Sequence, residues 1–421
     1  MTWLPPYREG DLMRRLMAIF GALVIGTMAL GATPVRAAGP THYWVSQNAR
    51  NVGAEYNTSC RDAFSFTLED ALSAYDEGDT IYLCSGEYFG TFSADNGTLT
   101  IAGVGRASKN IINADTNGRA ITAGYLDTAP DPDEWVHTDL IISNVTIKNG
   151  DAEYGAAISA NDFTCQSSVL VDNDAAFDGG AVWAGHAVNS NSCSYDSNES
   201  HNGSGGAIWA GYSVESFRDF FTVNQADDDG GAVEISGLDN GYSTFDKAYF
   251  YGNLTCGDGC SGWLQNGGAI HINKNSLGDL YVISSNFVEN SASDDGGAIW
   301  GPDSISITTS TFTNNEAGDD GGAVTSYGDL YLYKSTFKAN HANDEGGAFY
   351  ALGDLHFIGA NLQRNTADTS PGGVTLGAAA YLTATGAVQK NIGWSYSKKY
   401  HEWSVNIGAS QFIYIEAWLL L

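Results

Sequence analysis

Basic side chains are scarce in this sequence. Its 421 residues contain 19 Lys and Arg against 49 Asp and Glu, which gives a formal net charge of −30 at pH 7. A surface of that sign repels the phosphates of nucleic acids and the headgroups of anionic lipids. We therefore expect no nucleic-acid partner and regard cations, calcium among them, as more favourable ligands.

Helix-forming residues and long apolar runs are scarce as well. Leu, Lys and Glu are few, whereas 51 glycines and 12% aromatic residues favour strands and tight turns. An apolar run at residues 16–30 is shorter than the roughly 20 residues of a transmembrane helix. We predict no transmembrane segment in the mature chain.

That apolar run has the features of an export signal. Arg14 and Arg15 precede it, and residues 35–37 read VRA, a small-residue cleavage site. We interpret residues 1–37 as a signal peptide. Its removal takes away four Arg and two acidic residues, so the charge changes from −30 to −32. The mature protein is then expected to be secreted or at the cell surface, extracellular or in the outer membrane.

Six cysteines in an exported chain predict disulfides. The most economical of the fifteen possible pairings joins Cys60 to Cys84, Cys165 to Cys193 and Cys256 to Cys260. Cys256 and Cys260 share one short insertion and could bind a metal, but no nearby His or Cys pair completes a zinc site. A disulfide is the better interpretation.

What the sequence has in abundance is a repeat of about 25 residues. Residues 286–300 read NFVENSASDDGGAIW, 311–325 read TFTNNEAGDDGGAVT and 336–350 read TFKANHANDEGGAFY. Gly-Gly pairs begin at Gly179, Gly205, Gly230, Gly267, Gly296, Gly321, Gly346 and Gly372. An asparagine precedes each pair: Asn173, Asn198, Asn224, Asn253, Asn290, Asn315, Asn340 and Asn365. The longest step contains the Cys256 and Cys260 insertion, which we interpret as a loop.

The repeat predicts a solenoid of parallel strands. Between the markers, apolar residues alternate with a period of two, as in GDLYLYKSTF at residues 328–337. Twenty-five residues are too few for a strand–helix–strand unit of roughly 30. Three short strands per coil, stacked on the next coil about 4.8 Å away, fit both length and pattern. The predicted fold class is all-β: a single right-handed parallel β-helix with about 25 residues per coil.

The repeated polar and small residues have structural explanations in such a stack. The side chain of Asn can accept from one neighbour in a column and donate to the other, so the eight asparagines are expected to form a ladder. Gly-Gly permits backbone angles that other residues rarely adopt, and the following Ala keeps the bend narrow.

The chain divides into four segments. We predict the signal peptide at residues 1–37, an N-terminal strand and capping helix at 38–78, and the parallel β-helix at 79–375. The helix, expected near residues 67–75, would cover the exposed first coil. Residues 376–421 are aromatic and are expected to form a C-terminal cap or tail.

At its repeat markers the chain resembles the polymorphic outer membrane proteins of chlamydiae, whose repeats are Gly-Gly-Ala-[Ile/Leu/Val] and Phe-x-x-Asn. The first motif occurs at residues 205–208, 267–270 and 296–299, and the second at 221–224, 250–253, 287–290, 312–315 and 337–340. Residues 79–92 and 99–105 are similar to the opening of pectin-lyase-like β-helix proteins. The resemblance covers residues 43–375. It implies a surface adhesin carried by a C-terminal membrane barrel. The 49 residues after Gly372 are too few to form such a barrel, so we expect a passenger that is released or anchored in another way.

One column of residues is the candidate ligand-binding surface. Two places after each Ala stand, in chain order, Trp183, Trp209, Glu234, His271, Trp300, Thr325 and Tyr350. The adjacent column is uniformly apolar and must face the core, so this one is expected to be exposed. Aromatic rings there could bind a glycan or a protein ligand, or simply stack on one another. Glu234 and His271 could be an acid–base pair, although exposed charges in a varied column are usually solvated.

The acidic runs before Gly-Gly are the candidate metal site. Stacking brings carboxylates of successive coils within about 5 Å, where they repel and raise one another's pKa. Calcium at Asp229, Asp295 and Asp320 would relieve the repulsion, whereas acids that fan into water would need no ion.

These observations favour a monomeric adhesin or structural, glycan-binding protein. The alternative is a carbohydrate-active enzyme, a lyase or a hydrolase. Lyases of this fold need a basic residue, which is scarce here, and hydrolases need acids outside the repeat. We therefore assign no catalytic residue.

Overall fold

The computed structural model describes residues 42–124, 139–237, 241–255, 265–273 and 278–368, together with the backbone of five strands between 374 and 417. The fold is an all-β, right-handed parallel solenoid of about ten turns with about 25 residues per turn, as predicted. A repeating turn contains four strand segments, not the three predicted, because a left-handed turn divides one side of the coil into two short strands of the same sheet; each segment stacks on its counterpart in the next turn. We name the four stacks A, B, C and D in chain order.

Stacks A and B form the larger sheet. The strands of stack A are His42–Val45, Thr80–Leu83, Leu99–Gly103, Leu140–Ser143, Phe163–Gln166, Ala187–Asn191, Ser213–Phe217, Tyr242–Asp246, Asp279–Ile283, Ile305–Thr308, Leu330–Tyr333, Leu355–Ile358 and Leu382–Gln389. The strands of stack B are Gly86–Phe89, Asn110–Asn113, Thr146–Lys148, Val169–Val171, Ser194–Asp196, Phe220–Thr222, Tyr249–Tyr251, Asn286–Val288, Thr311–Thr313, Thr336–Lys338 and Asn361–Gln363.

Stack C is narrow, and stack D contains the residues that follow Gly-Gly. The strands of stack C are Asp151–Ala152, Asp174–Ala175, Glu199–Ser200, Gln225–Ala226, Leu254–Thr255, Ser291–Ala292, Glu316–Ala317, His341–Ala342 and Thr366–Ala367. The strands of stack D are Phe92–Ala94, Ile121–Ala123, Ile158–Ala160, Val182–Ala184, Ile208–Ala210, Val233–Ile235, Ile270–Ile272, Ile299–Gly301, Val324–Ser326, Phe349–Ala351 and Val374–Leu376.

The core is a set of columns that run along the solenoid. The Phe of each Phe-x-x-Asn motif lies in stack B and points inward. Six rings stack there with centroids 4.6–4.9 Å apart and planes within 5° of parallel. They belong to Tyr195, Phe221, Phe250, Phe287, Phe312 and Phe337. Burial of such rings and their offset contacts stabilise each coil against the next.

The Asn of the same motif forms a continuous buried ladder. From Asn173 to Asn365, each side-chain Nδ2 donates to the Oδ1 of the next asparagine at 2.8–3.0 Å. The same Oδ1 accepts the backbone N–H of the preceding coil's asparagine, and Nδ2 also donates to a carbonyl such as Phe312 O. Because every polar atom is paired, the ladder is stable although it is almost completely buried.

Each regular coil turns at three residues with left-handed backbone angles. The first Gly of Gly-Gly is one, with φ near +67° at Gly296 and Gly321. A Cβ on the second Gly, for example Gly297, would collide with the backbone of the next coil. The other two turns, between stacks A and B and between B and C, use mostly residues with side chains, such as Thr309 and Asn314.

The N-terminal part covers the first coils. A short helix, Leu68–Leu72, is capped by the Thr67 side chain, and buries Leu68 and Leu72. Short 3₁₀ turns span Ala54–Tyr56 and Ala107–Lys109, and Asn51–Val52 pairs with Asp62–Ala63.

Disulfides join Cys60 to Cys84 and Cys165 to Cys193, as predicted. The predicted pair Cys256 and Cys260 lies outside the described residues, as does Gly372. Three further strands follow, and all pair antiparallel. Glu402–Ile407 pairs with Val374–Leu376 of stack D and with Asn391–Ser397, and Gln411–Ala417 pairs with Leu382–Gln389 of stack A.

Candidate functional site

The ligand-binding candidates are the middle residues of the stack D strands. In register the described column reads Thr122, Ser159, Trp183, Trp209, Glu234, His271, Trp300, Thr325 and Tyr350. Their neighbours within each strand, such as Val182 and Ala184, face the core and are buried. The column therefore lies on the outer face of stack D.

The expectation that this whole column is exposed is wrong. Glu234, His271, Trp300 and Tyr350 retain 3–7% of their accessible surface. The acidic segment before Gly-Gly folds over the column and covers it. Thr325 Oγ1, for example, donates to the carbonyl of Asp320 in the same coil at 3.0 Å. Five of the seven candidates, Thr325 at 0% included, are thus beneath the surface and cannot form a binding face as they stand.

Glu234 and His271 form a buried pair on adjacent coils. Glu234 Oε2 lies 2.6 Å from His271 Nδ1, and Asp229 Oδ2 lies 3.6 Å from His271 Nε2. The imidazole also stacks on Trp300, with ring centroids 4.7 Å apart. This geometry suits proton exchange, but the pair is covered, so it joins two coils instead of facing a substrate.

Burial and mutual charge shift the pKa values of this pair. Burial raises the pKa of Glu234, and the opposing effect of His271 is smaller. Burial lowers the pKa of His271, but the charge and hydrogen bond of Glu234, with Asp229 and Asp228, outweigh it, so the pKa is raised. Both pKa values are thus shifted upward, which favours the protonated form of each side chain.

Trp183 and Trp209 are the two candidates that remain partly exposed. Their indoles stack in parallel, with centroids 5.2 Å apart and planes 3° apart. The outer ends of the rings lie over Gly185 and Gly211, where any Cβ would come within 3.4–3.5 Å of them. These are ordinary van der Waals contacts, so the indoles do not require glycine; at Gly211 an added Cβ would instead collide with the backbone carbonyl of Gly185 in the preceding coil.

A second stacked pair lies beside the tryptophans. His186 and Tyr212 follow Trp183 and Trp209 by three residues, and their ring centroids are 5.0 Å apart. We call Trp183, Trp209, His186 and Tyr212 the aromatic platform. Asp162 Oδ1 lies 2.7 Å from His186 Nδ1 and sets the orientation of that ring. The platform combines rigid apolar rings with polar groups at their edge.

Sequence reasoning missed His186 and Tyr212, and also the stacked pair Tyr154 and Phe177, whose centroids are 5.3 Å apart. Both pairs recur at about one coil spacing, which is the signal that could have found them. Neither pair belongs to the Gly-Gly-Ala or Phe-x-x-Asn motifs on which the prediction of the repeat was based.

From Asp229 to Glu345, the residue before each Gly-Gly pair belongs to a second side-chain ladder. Asp295 Oδ1 accepts the backbone N–H of Asp320 at 3.0 Å, and Asp320 Oδ1 accepts that of Glu345 at 2.9 Å. Earlier in the ladder, Asp229 Oδ1 accepts from Asn266 N, and Asn266 Oδ1 accepts from Asp295 N. We call Asp229, Asn266, Asp295, Asp320 and Glu345 the acidic ladder.

Burial and, after it, neighbouring carboxylates raise the pKa of two members of this ladder, Asp295 and Asp320. Burial, aided by the charge of Asp294, raises the pKa of Asp295 to about 7. Burial together with Asp295 and Asp319 raises the pKa of Asp320 to about 8. The acids before Gly-Gly therefore do not all fan freely into water.

The carboxylates converge in two groups, each with ligand oxygens within 4.8 Å of one another. One contains Asp294, Asp295 and Asp319, and the other Asp319, Asp320 and Asp344. Of the three predicted calcium ligands, Asp295 and Asp320 belong to these groups. Asp229 does not, because the neutral Asn266 separates it from Asp295 and its carboxylate faces His271. An all-oxygen set of this kind suits calcium.

Residues 284–302 match the Chlamydia polymorphic membrane protein repeat. No curated protein matches the chain. Pectin methylesterase from carrot is a solved structure with 13% identity, covering 73% of this chain and 85% of its own, at a TM-score of 0.30. A TM-score this low carries no argument about fold or function.

The matched segment holds one complete set of markers. Phe287, Asn290 and the Gly296-Gly297-Ala298 bend all fall within it. In the described part of the chain no helix is both long and apolar enough to span a bilayer. The predicted resemblance is confirmed for this segment: the chain contains a repeat of the chlamydial polymorphic membrane protein type, which suggests a surface or outer-membrane β-helix protein.

Proposed function

We propose that this protein is a cell-surface adhesin that binds a glycan ligand through the aromatic platform. The observation that carries the proposal is the parallel, partly exposed stack of Trp183 and Trp209. Rigid aromatic rings bind ligands with little loss of side-chain entropy. The chlamydial-type repeat supports a surface location.

Polar groups beside the platform favour a glycan over an apolar ligand. Asp162 and His186 form a hydrogen-bonded pair at its edge, and Asn161 Oδ1 lies near Gly185, beneath the Trp183 ring. Sugars present apolar C–H faces together with hydroxyl groups. A site for them needs ring surfaces and a small number of placed donors and acceptors.

The proposal is tested with the double variant W183A/W209A on a glycan array. Binding to the recognised glycan should fall at least about tenfold, because hot-spot aromatics carry most of an interface energy. Removing the stack should also cost about 1–3 kcal/mol of stability, so circular dichroism must show a folded protein.

The matched control is F220A/Y249A, which removes an aromatic pair on stack B, with Phe220 exposed, Tyr249 partly exposed and ring centroids 6.2 Å apart. Its glycan binding should equal that of the wild type. Equal loss in both variants would contradict a site at the platform. Depolymerisation of the bound polysaccharide would support the carbohydrate-active enzyme instead.

A further inference from the structure

Two aspartates and a histidine converge on the outer face of stack A. Asp329 and Asp354 precede the register partners Leu330 and Leu355, so they lie side by side on adjacent coils. His356 is two residues after Asp354 and faces the same way. One carboxylate oxygen from each Asp and one imidazole nitrogen lie within 4.8 Å of one another, and all three side chains are partly exposed.

Tyr331 holds two of these side chains in place. Its ring stacks on the His356 imidazole, with centroids 4.4 Å apart and planes 1° apart. Its hydroxyl donates to Asp329 Oδ2 at 3.2 Å, and the Asp354 N–H donates to Asp329 Oδ1 at 2.8 Å. Hydrogen bonds from outside a ligand set orient its members and raise metal affinity.

Comparison with other coils singles out the histidine. Residues 278–281 and 328–331 both read GDLY, and residues 353–356 read GDLH. In the first two, the Tyr hydroxyl donates to the Asp of its own motif, at 3.1 Å from Tyr281 to Asp279. In the third, an imidazole stands at the position that has a phenol in these two coils, next to two carboxylates.

We propose that Asp329, Asp354 and His356 bind one divalent transition-metal ion of the zinc type. Imidazole and carboxylate ligands suit Zn²⁺, Co²⁺ and Mn²⁺, whereas Ca²⁺ takes oxygen ligands only. Ligand bonds of about 2.0–2.2 Å require the three groups to close by roughly an ångström, which rotamer adjustment of exposed side chains allows. Three protein ligands leave a coordination position for water.

The site differs from the acidic ladder in chemistry and in place. The ladder supplies carboxylates from the loop before stack D, and this set adds a nitrogen ligand on stack A. Calcium in excess should therefore occupy oxygen-only sites and leave the histidine site to the transition metal. The proposal does not depend on the adhesin function.

Cobalt titration tests the proposal on chelator-treated full-length protein in about 1 mM calcium. Wild-type protein should bind one equivalent of Co²⁺ with visible absorption characteristic of a nitrogen-containing site. H356Y introduces the tyrosine of the two GDLY coils, so it should fold normally and lose that absorption. D354N should weaken cobalt binding at least about tenfold.

The matched control is H341Y, because His341 is also partly exposed but has one carboxylate, Asp368, 4.0 Å from its Nε2. It should bind cobalt as the wild type does. The proposal is overturned if the wild type gives no one-to-one cobalt signal, if H356Y keeps that signal, or if H341Y loses it. Isotopic labelling of histidine gives a second readout, since cobalt should broaden the resonances absent from H356Y.

Discussion

Left-handed backbone angles at single residues are a recurring cost of this solenoid. The turns between stacks use non-glycine residues with φ near +55°, Asn144 and Asn314 among them. Asn tolerates this region because its short polar side chain bonds locally, but other L-residues lose about 1–2 kcal/mol there. β-Branched residues are least suited, and Val223 and Thr309 occupy such positions with φ of 53° and 52°.

Replacing Val223 by Asn should stabilise the protein. Val223 is 54% exposed, so little packing is lost, while the strain of its left-handed conformation is relieved. We expect the free energy of unfolding to rise by about 0.5–1.5 kcal/mol, measured by urea denaturation. V288N is the control, since Val288 lies in the extended strand Asn286–Val288, where Asn is disfavoured. A lower stability for V223N would show that the left-handed angle is not strained.

At the scale of the element, the two ladders use the same geometry with different chemistry. In the asparagine ladder each amide donates to one neighbour and accepts from the other. An ionised aspartate can only accept, so Asp295 and Asp320 cannot link in the same way unless one holds a proton. Burial and the like charges of neighbouring carboxylates raise the pKa of both, so a proton is held more readily there than on a free aspartate. Asn266 is a neutral member of the acidic ladder, and its amide bonds Asp229 Oδ1 at 3.2 Å.

This difference predicts that acid stabilises the protein. The pKa values of Asp295 and Asp320 are about 7 and about 8 in the folded chain and near 4 when unfolded. Their stabilisation is complete below pH 4 and is lost as the pH rises through 7 and 8. The free energy of unfolding should therefore rise as the pH falls from 9 to 5, by about 1–2 kcal/mol for each carboxylate, and the melting temperature should rise with it.

The double variant D295N/D320N should remove most of this pH dependence. At pH 8 it should melt above the wild type, because amides carry no charge and can donate. E215Q/E316Q changes the net charge equally at two exposed positions and should preserve the wild-type profile. A wild-type melting curve independent of pH between 5 and 9 would contradict the raised pKa values.

At the scale of the whole molecule, the net charge of −30 opposes compaction. Salt should screen this repulsion generally, whereas calcium should act at the converging carboxylates. With ionic strength held at about 0.15 M, about 1 mM calcium should raise the melting temperature by about 2–5 °C over a chelator control. The D295N/D320N variant should lose most of that increase.

Magnesium at equal concentration is the control for calcium, because it is bound less well by flexible carboxylate sets. An equal shift with both ions, or a shift that survives in D295N/D320N, would assign the effect to screening. The acids would then be a solvated edge.

Much of the fold follows from the sequence alone because a solenoid repeats its local chemistry. The Phe-x-x-Asn and Gly-Gly motifs recur with a period of about 25 residues. Stacking the coils in register places each repeated residue against its counterpart in the next coil. The asparagines had to meet in a column once the period was known. The inward set of stack D was equally determined by alternation.

The exposure of the outward set was decided by tertiary structure. Alternation says which way Glu234 and His271 point, but not that an acidic segment lies over them. The left-handed turns at residues such as Val223 arise because the backbone path of the coil overrides local preference. Asp329 and His356 are 27 residues apart, so their approach depends on the register between coils, which composition and motif do not show. Local pattern set the columns, and the packing of loops over them set which side chains a ligand can reach.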